Sequence, residues 1–196
     1  MVNDGRRRGF LYCRDCGYAE LTPLRQPKRS TAGQKQHIRP SASAITCGGM
    51  LTRINLGHVF MTDIVEFMFP SLPMPTGTKV LDGCNSIISA LIQGAARTLN
   101  ARRQDIAGTF YFDGGSPVFV LYDDVPGGAG LANAAHSRII DVVSAAVTLC
   151  EGCTCGETSS CYGCLRTYSN QFEHEDLDRS MVTAAFQPLL VAAGAR

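Results

Sequence analysis

Between Asn85 and Asn100 the apolar residues Ile87, Ile88, Leu91, Ile92, Ala95 and Leu99 return at steps of three and four. That period gathers side chains onto one face of an α-helix. It returns from Leu131 to Leu149, through Ala135, Ile139, Val142, Val143 and Ala146. A third helical stretch carries Leu177, Met181, Ala184, Ala185 and Leu189, and Pro188 is expected to kink or end it. Between the first two helices, the short runs TFYF and VFVLY are joined by DGGSP, a hairpin signal. From Leu51 to Phe69, β-branched and aromatic residues are interspersed with polar ones, which predicts one long bent strand or two strands broken near Gly57. The expected class is α+β: a small mixed sheet with a hairpin, packed by helices on one face. Residues 1–50 differ. They hold Pro23, Pro27 and Pro40 and no sustained apolar period, so they cannot build a core and need another cross-link. The expected division is 1–50, a basic module, and 51–196, the α+β domain.

Composition sharpens that division. Of 196 residues, 45% are hydrophobic and 18% charged, as in a globular protein, and the net charge of +1 excludes nucleic-acid binding by global charge. The charge is uneven, however: residues 1–40 hold nine Lys and Arg against three Asp and Glu. A basic end on an acidic body suggests a partner with phosphates or an acidic surface, or else a solvated arm. If phosphates, Arg6, Arg7, Arg8, Arg14, Lys28, Arg29 and Lys35 are the candidate contacts. No run approaches the ~18 apolar residues of a membrane span, and FLYC is too short for a secretory apolar region. A cytoplasmic, reducing location with no membrane partner is expected.

In such a location clustered cysteines are metal ligands or catalytic thiols more often than disulfides. The chain has nine, a number that full pairing cannot accommodate. Five fall between Cys150 and Cys164. Cys161-Tyr-Gly-Cys164 has the two-residue spacing that turns both sulfurs to one side, with Gly163 expected at positive φ. Cys153-Thr-Cys155 is a tighter pair upstream, and polar GETSS joins the two. Together they supply four thiolates for a tetrahedral Zn²⁺. Cys150 ends the preceding apolar stripe and is expected to pack there. A redox CxxC would open a helix in a βαβ pattern, which is absent. At the other end YCRDCG holds a second CxxC, the knuckle of zinc ribbons; Cys13 and Cys16 need two more ligands, for which His37 and Cys47 are the nearest candidates. One or two zinc ions are expected.

Other chemistry is sparser. Asp123 and Asp124 end a strand, and Gly127, Gly128 and Gly130 open a helix, where amides can meet a phosphate. GGAGLAN is neither a Walker A loop nor a full GxGxxG, and a tight strand-to-helix turn where side chains would clash is the favoured explanation. His174 and Asp178 lie four apart, and Arg166 and Arg179 are expected to pair with nearby carboxylates as a polar staple around the metal. There is no ATPase motif, so the chain is not a helicase motor.

VLYDDVPGGAGLA, a helix, and then CTCGETSSCYGCLRTYSNQFEHEDLDR resemble the MZB domain, the zinc-binding module of MrfA-type helicases, in the version attached to DrmB-type chains of the DISARM anti-phage system. CRDCG and GHVFMTDIVEFMF extend the resemblance. It implies Cys153, Cys155, Cys161 and Cys164 as metal ligands and a non-catalytic scaffold serving a DNA helicase subunit or domain, in phage defence or DNA repair. Two alternatives remain: a metal-dependent nuclease or phosphotransferase built on the Asp123/Asp124 corner, and a module binding protein alone.

Overall fold

The computed structural model describes residues 2–3, 9–22, 36–69 and 72–194. The chain divides into two compact units, Met1–Phe60 and Met61–Arg196.

The first unit is built of short antiparallel strands. β2 (Phe10–Cys13) lies between β3 (Ala19–Leu21) and β6 (Leu51–Ile54), β4 (His37–Arg39) pairs with β5 (Ala42–Cys47), and β1 (Val2–Asn3) pairs with β7 (Leu56–Gly57). β6 therefore belongs with the first unit, because its backbone hydrogen-bonds to β2 in the register Phe10–Ile54 to Cys13–Leu51. The chain accordingly divides ten residues beyond the boundary read from proline and glycine content. Among the described residues, the buried side chains of this unit are Cys13, His37 and Cys47. Among the described residues it has no apolar core.

The second unit does. β8 (Ile64–Phe67), β10 (Ser116–Asp123) and β9 (Ile106–Asp113) form an antiparallel sheet in the order β8-β10-β9. The pairings of the described strands are antiparallel throughout, so the small sheet of this α+β fold contains no parallel step. The hairpin turns through Gly114 and Gly115, both at positive φ (54° and 88°), the backbone that matches the twist of a two-residue connection. Phe67, Phe119 and Leu121 point to the inner face and join the core. Against that face packs α1 (Val80–Leu99), which begins five residues before the expected Asn85. Its other neighbours are α3 (Ile139–Glu151) and α4 (Arg179–Ala192). Two glycines permit this layering: a Cβ at Gly108 would come within 2.7 Å of Ile88 on α1, and one at Gly94 would collide with the Val142 carbonyl oxygen of α3.

The helix expected from Leu131 to Leu149 is two, α2 (Leu131–Ser137) and α3, broken at Arg138 (φ −123°, ψ 30°). There the guanidinium bonds Asp141 and the carbonyl of Thr98 at the end of α1. Pro188 does not end α4, which continues to Ala192. His174 and Asp178 share no helix face: residues 161–178 form a succession of turns, and Asp178 instead caps α4 by accepting from Ser180 N at 2.8 Å. No helix among the described residues is long and apolar enough to cross a membrane.

Candidate metal centres

The loop between α3 and α4 is short of apolar residues, so its shape depends on polar contacts. Cys153, Cys155, Cys161 and Cys164 turn their sulfurs toward one point, all within 4.8 Å of one another. Sγ–Sγ distances are 3.5 Å for Cys153–Cys155 and Cys153–Cys161, 3.8 Å for Cys155–Cys164 and 3.9 Å for Cys161–Cys164. A tetrahedron with metal–sulfur bonds of ~2.3 Å has edges of roughly 3.8 Å. These four thiols fit Zn²⁺ and leave no position open for a substrate.

The backbone prepares the thiolates. Cys161 N donates to Cys164 Sγ and Gly163 N to Cys161 Sγ, both at 3.2 Å. Gly163 is not at positive φ; it is needed for close approach, since a Cβ there would stand 3.3 Å from Cys161 Sγ. The Cys155 backbone amide and then the neighbouring thiols lower the Cys153 thiol to about 7, whereas burial pushes Cys164 up to about 12. Cys150 stands apart in the core, 1% exposed, its thiol pushed up to about 12 by burial.

Arg179, expected as a staple, holds the loop together with Asn170, Ser86 and Ser89, which the sequence did not mark. Arg179, buried at the start of α4, donates to the carbonyls of Cys150, Cys153 (2.6 Å) and Gly156 (2.8 Å from Nε). It staples backbone carbonyls of the cysteine loop, where carboxylate partners were expected; Arg166 bonds Ser160 Oγ. Asn170 donates to Leu165 O and to Ser89 Oγ of α1, and accepts from Thr167 N. Ser86, one helical turn away, accepts from Asp178 N. Two serines on an otherwise apolar helix face were the available signal.

In the first unit Cys13, Cys16, His37 and Cys47 converge in the same way, their ligand atoms within 4.8 Å. Cys16 Sγ is 3.1 Å from His37 Nε2 and Cys13 Sγ 3.9 Å from Cys47 Sγ. The knuckle closes through Gly17 N to Cys13 O, with Gly17 at φ 75°. Gly49 N donates to Cys47 Sγ, which lowers that thiol's pKa. A Cβ on Gly49 would meet Cys13 Sγ at 2.7 Å, so the position admits no side chain without displacing a ligand. This set too is tetrahedral in its chemistry and can hold zinc.

The glycine-rich corner serves another purpose. Asp123 is fully buried, and its carboxylate accepts from Ala129 N, Leu131 N (3.1 Å) and Ala132 N (2.7 Å). Gly127 N donates to Met61 O and Gly128 N to Val125 O. The anion at the start of α2 is thus the chain's own carboxylate. Asp124 is exposed and forms no metal-binding group with Asp123 among the described residues. Of the basic candidates, Arg14 is exposed on the knuckle, while Arg6, Arg7, Arg8, Lys28, Arg29 and Lys35 lie outside the described residues.

Fold and sites together define an α+β protein with two groups able to hold zinc. Residues 87–165 match the family model for MZB, the MrfA Zn-binding domain. The chain is also similar to the Druantia protein DruE of Escherichia coli (strain UMEA 4076-1), 29% identical over 201 residues, covering 91% of this chain and 11% of that protein. The crystal structure of the DUF1998 helicase MrfA bound to DNA shares the fold over 68% of this chain and 18% of its own, with a TM-score of 0.50 and 22% identity. The chain thus spans about a tenth of the length of this curated relative and under a fifth of that helicase.

Proposed function

We propose that the chain is a zinc-stabilised, non-catalytic module of a DNA-helicase machinery that acts in antiviral defence. Cys153, Cys155, Cys161 and Cys164 hold one zinc ion, and Cys13, Cys16, His37 and Cys47 hold a second. The observation that carries this reading is the convergence of two four-ligand groups, one of which replaces the core its unit lacks. With every tetrahedral position taken by protein, each ion cross-links loops and activates no water. The match to the MrfA Zn-binding domain supports a helicase as partner, and the similarity to a Druantia protein supports a defence role. A DISARM-type or DNA-repair setting is the finer form of the proposal, resting on the CYGCLRTYSNQ region.

In this reading Arg6, Arg7, Arg8, Arg14, Lys28, Arg29 and Lys35 touch phosphates, which positions DNA without reading its sequence. A motor subunit or domain docks on the second unit. Exposed Tyr162, Tyr168 and Phe172, on the turns around the cysteine cluster, favour a protein partner there, because aromatic anchors carry protein interfaces. The nuclease alternative loses its geometry, since Asp123 is committed to three amides.

The test is DNA binding by the zinc-loaded chain as salt rises. Affinity should fall steeply between low and physiological ionic strength, and reversing the charge of Arg6, Arg7 and Arg8 should weaken it. Salt-independent affinity, or Mg²⁺-dependent cleavage of the DNA, would sink the scaffold reading.

A further inference from the structure

The second unit carries fourteen Asp and Glu against eight Lys and Arg, so any gathering of positive charge on it runs against its composition. Four of those eight, Arg97, Arg102, Arg103 and Arg138, lie on the segments that come together where α1 ends. The chain reverses there through Asn100 in the left-handed conformation, which returns Ala101 N to Ala96 O and sets Arg102 and Arg103 beside the last turn. Arg138 arrives from the break between α2 and α3 and donates to Thr98 O at 2.9 Å. Three separate segments thus bring arginines to one end of one helix, where Arg138 and Arg102 are also paired with Asp141 and Asp105.

Helix-end electrostatics explain part of this. A cation beside terminal carbonyls is favourable, and Arg138 satisfies one of them directly. The other three arginines go beyond that need. Arg97 is exposed, and the Arg102 side chain, 76% exposed, has a single ion pair with Asp105, of a kind worth only ~0.2–1 kcal/mol and readily exchanged. Arg103 is half-buried, yet its Nε is shielded from water with no hydrogen-bond partner. Burial also lowers the pKa of that guanidinium, as expected of a cation without enough compensation. The shielded Nε is out of an anion's reach, and what half-buried Arg103 offers a phosphate is the outer nitrogens of its guanidinium.

We infer that the C-terminal end of α1, through Arg97, Arg102, Arg103 and Arg138, is a second contact for the phosphodiester backbone of nucleic acid. The inference rests on the proposal that the chain handles DNA, and it places a contact on the α+β unit, apart from the basic residues of the N-terminal segment. Arginine suits the ligand, because its planar fork meets two phosphate oxygens at once. A protein partner fits less well: protein interfaces are built on aromatic anchors and depleted of charge at their centre, and the exposed aromatics Tyr162, Tyr168 and Phe172 lie on another segment.

The experiment uses the zinc-loaded full chain and three probes: a single-stranded thymidine 20-mer, a 20-base-pair duplex and a polyglutamate peptide. Binding is measured across a salt series for the unsubstituted chain, for Arg97→Gln/Arg102→Gln and for Arg103→Gln. Lys79→Gln is the single-charge control, matched to Arg103→Gln, because Lys79 precedes α1 and lies about 30 Å away at the other end of a 20-residue helix. Each lost phosphate contact flattens the log–log salt slope by about 0.7 on single strands and about 0.9 on duplex. The double variant should therefore lose roughly 1.4 to 1.8 of slope and Arg103→Gln about half that, whereas Lys79→Gln should leave it unchanged. The double variant changes only exposed side chains, so it remains informative if Arg103→Gln misfolds. Slopes equal to those of the unsubstituted chain would overturn the inference and leave the DNA-handling proposal intact. No binding to either oligonucleotide by the unsubstituted chain would sink both. Weakened polyglutamate binding with unchanged oligonucleotide binding would reassign the patch to an acidic protein.

Discussion

Arg179 has no carboxylate partner among its described hydrogen bonds; its guanidinium satisfies the carbonyls of Cys150, Cys153 and Gly156. Replacing it with Met preserves much of its bulk but leaves those carbonyls without donors at the point where the cysteine loop meets α4. Hydrogen bonds from charged groups contribute ~1.5–3 kcal/mol each, so Arg179→Met should cost about 3 kcal/mol or more, read as a lowered midpoint in thermal unfolding of the zinc-loaded chain. Asp123 is comparable. With three amides at the start of α2 dependent on it, Asp123→Ala should destabilise by about 3 kcal/mol, whereas an unchanged midpoint would mean the carboxylate is not the anchor. The staple at Arg179 was legible in the sequence but not its carbonyl partners, and the anchoring role of Asp123 was not legible. DDVPGGAG also admits a phosphate turn, and only the folded chain reveals that the anion is internal. Cys150 was legible as a packed thiol from its place on an apolar helix face, whereas Cys84 was not, because α1 begins five residues before the expected Asn85 and takes it into the core. Burial pushes Cys84 up to about 11 and Cys150 up to about 12, so both should resist iodoacetamide at pH 8, where an ordinary thiol of pKa ~8.5 reacts. The sign of the linkage follows: above about pH 8.5 the unfolded chain releases these protons and the folded chain keeps them, so stability should fall as the solution becomes alkaline. Peptide mapping that found either residue alkylated in the folded protein would contradict this.

At the scale of elements, the apolar period found α1 and the pair α2–α3, and DGGSP found the hairpin, because these signals are local. Their limits were set by contacts that are not. The break at Arg138 depends on the carbonyl of Thr98, forty residues away, and the turns from 161 to 178 depend on Ser86 and Ser89 of α1. No periodicity encodes such partners. The crossing of α1 and α3 turns on Gly94, where a methyl group would strike the Val142 carbonyl oxygen. Gly94→Ala gains helix propensity of ~1 kcal/mol but forces the helices apart, and overpacking costs ~1–3 kcal/mol, so the net change should be neutral to destabilising by about 2 kcal/mol. Chemical denaturation gives the sign; a clear gain in stability would show that the two helices are not tightly apposed.

On the scale of the whole molecule, the two units solve the same problem differently. Met61–Arg196 buries an apolar cluster that includes Phe119, Leu91, Val142 and Phe186, and it uses a cysteine quartet to fix one loop. Among its described residues, Met1–Phe60 buries little besides the quartet itself. Cysteine spacing made both quartets readable in the sequence, although His37 and Cys47 were found by nearness along the chain and not by any motif. Removing zinc should therefore have unequal effects. Structural zinc in finger peptides contributes about 10–16 kcal/mol of apparent binding free energy, more than an unaided unit of this size can replace. A strong chelator should unfold the first unit and only loosen the 152–178 loop of the second, a difference that amide hydrogen exchange resolves segment by segment.

Zinc bound per folded chain, determined by elemental analysis of the purified protein and of the variants Cys161→Ser/Cys164→Ser and Cys13→Ser/Cys16→Ser, addresses the central claim most directly. Two equivalents are expected for the unsubstituted chain and one for each variant. A folded chain that carries no metal, or variants that keep both ions, would contradict the account.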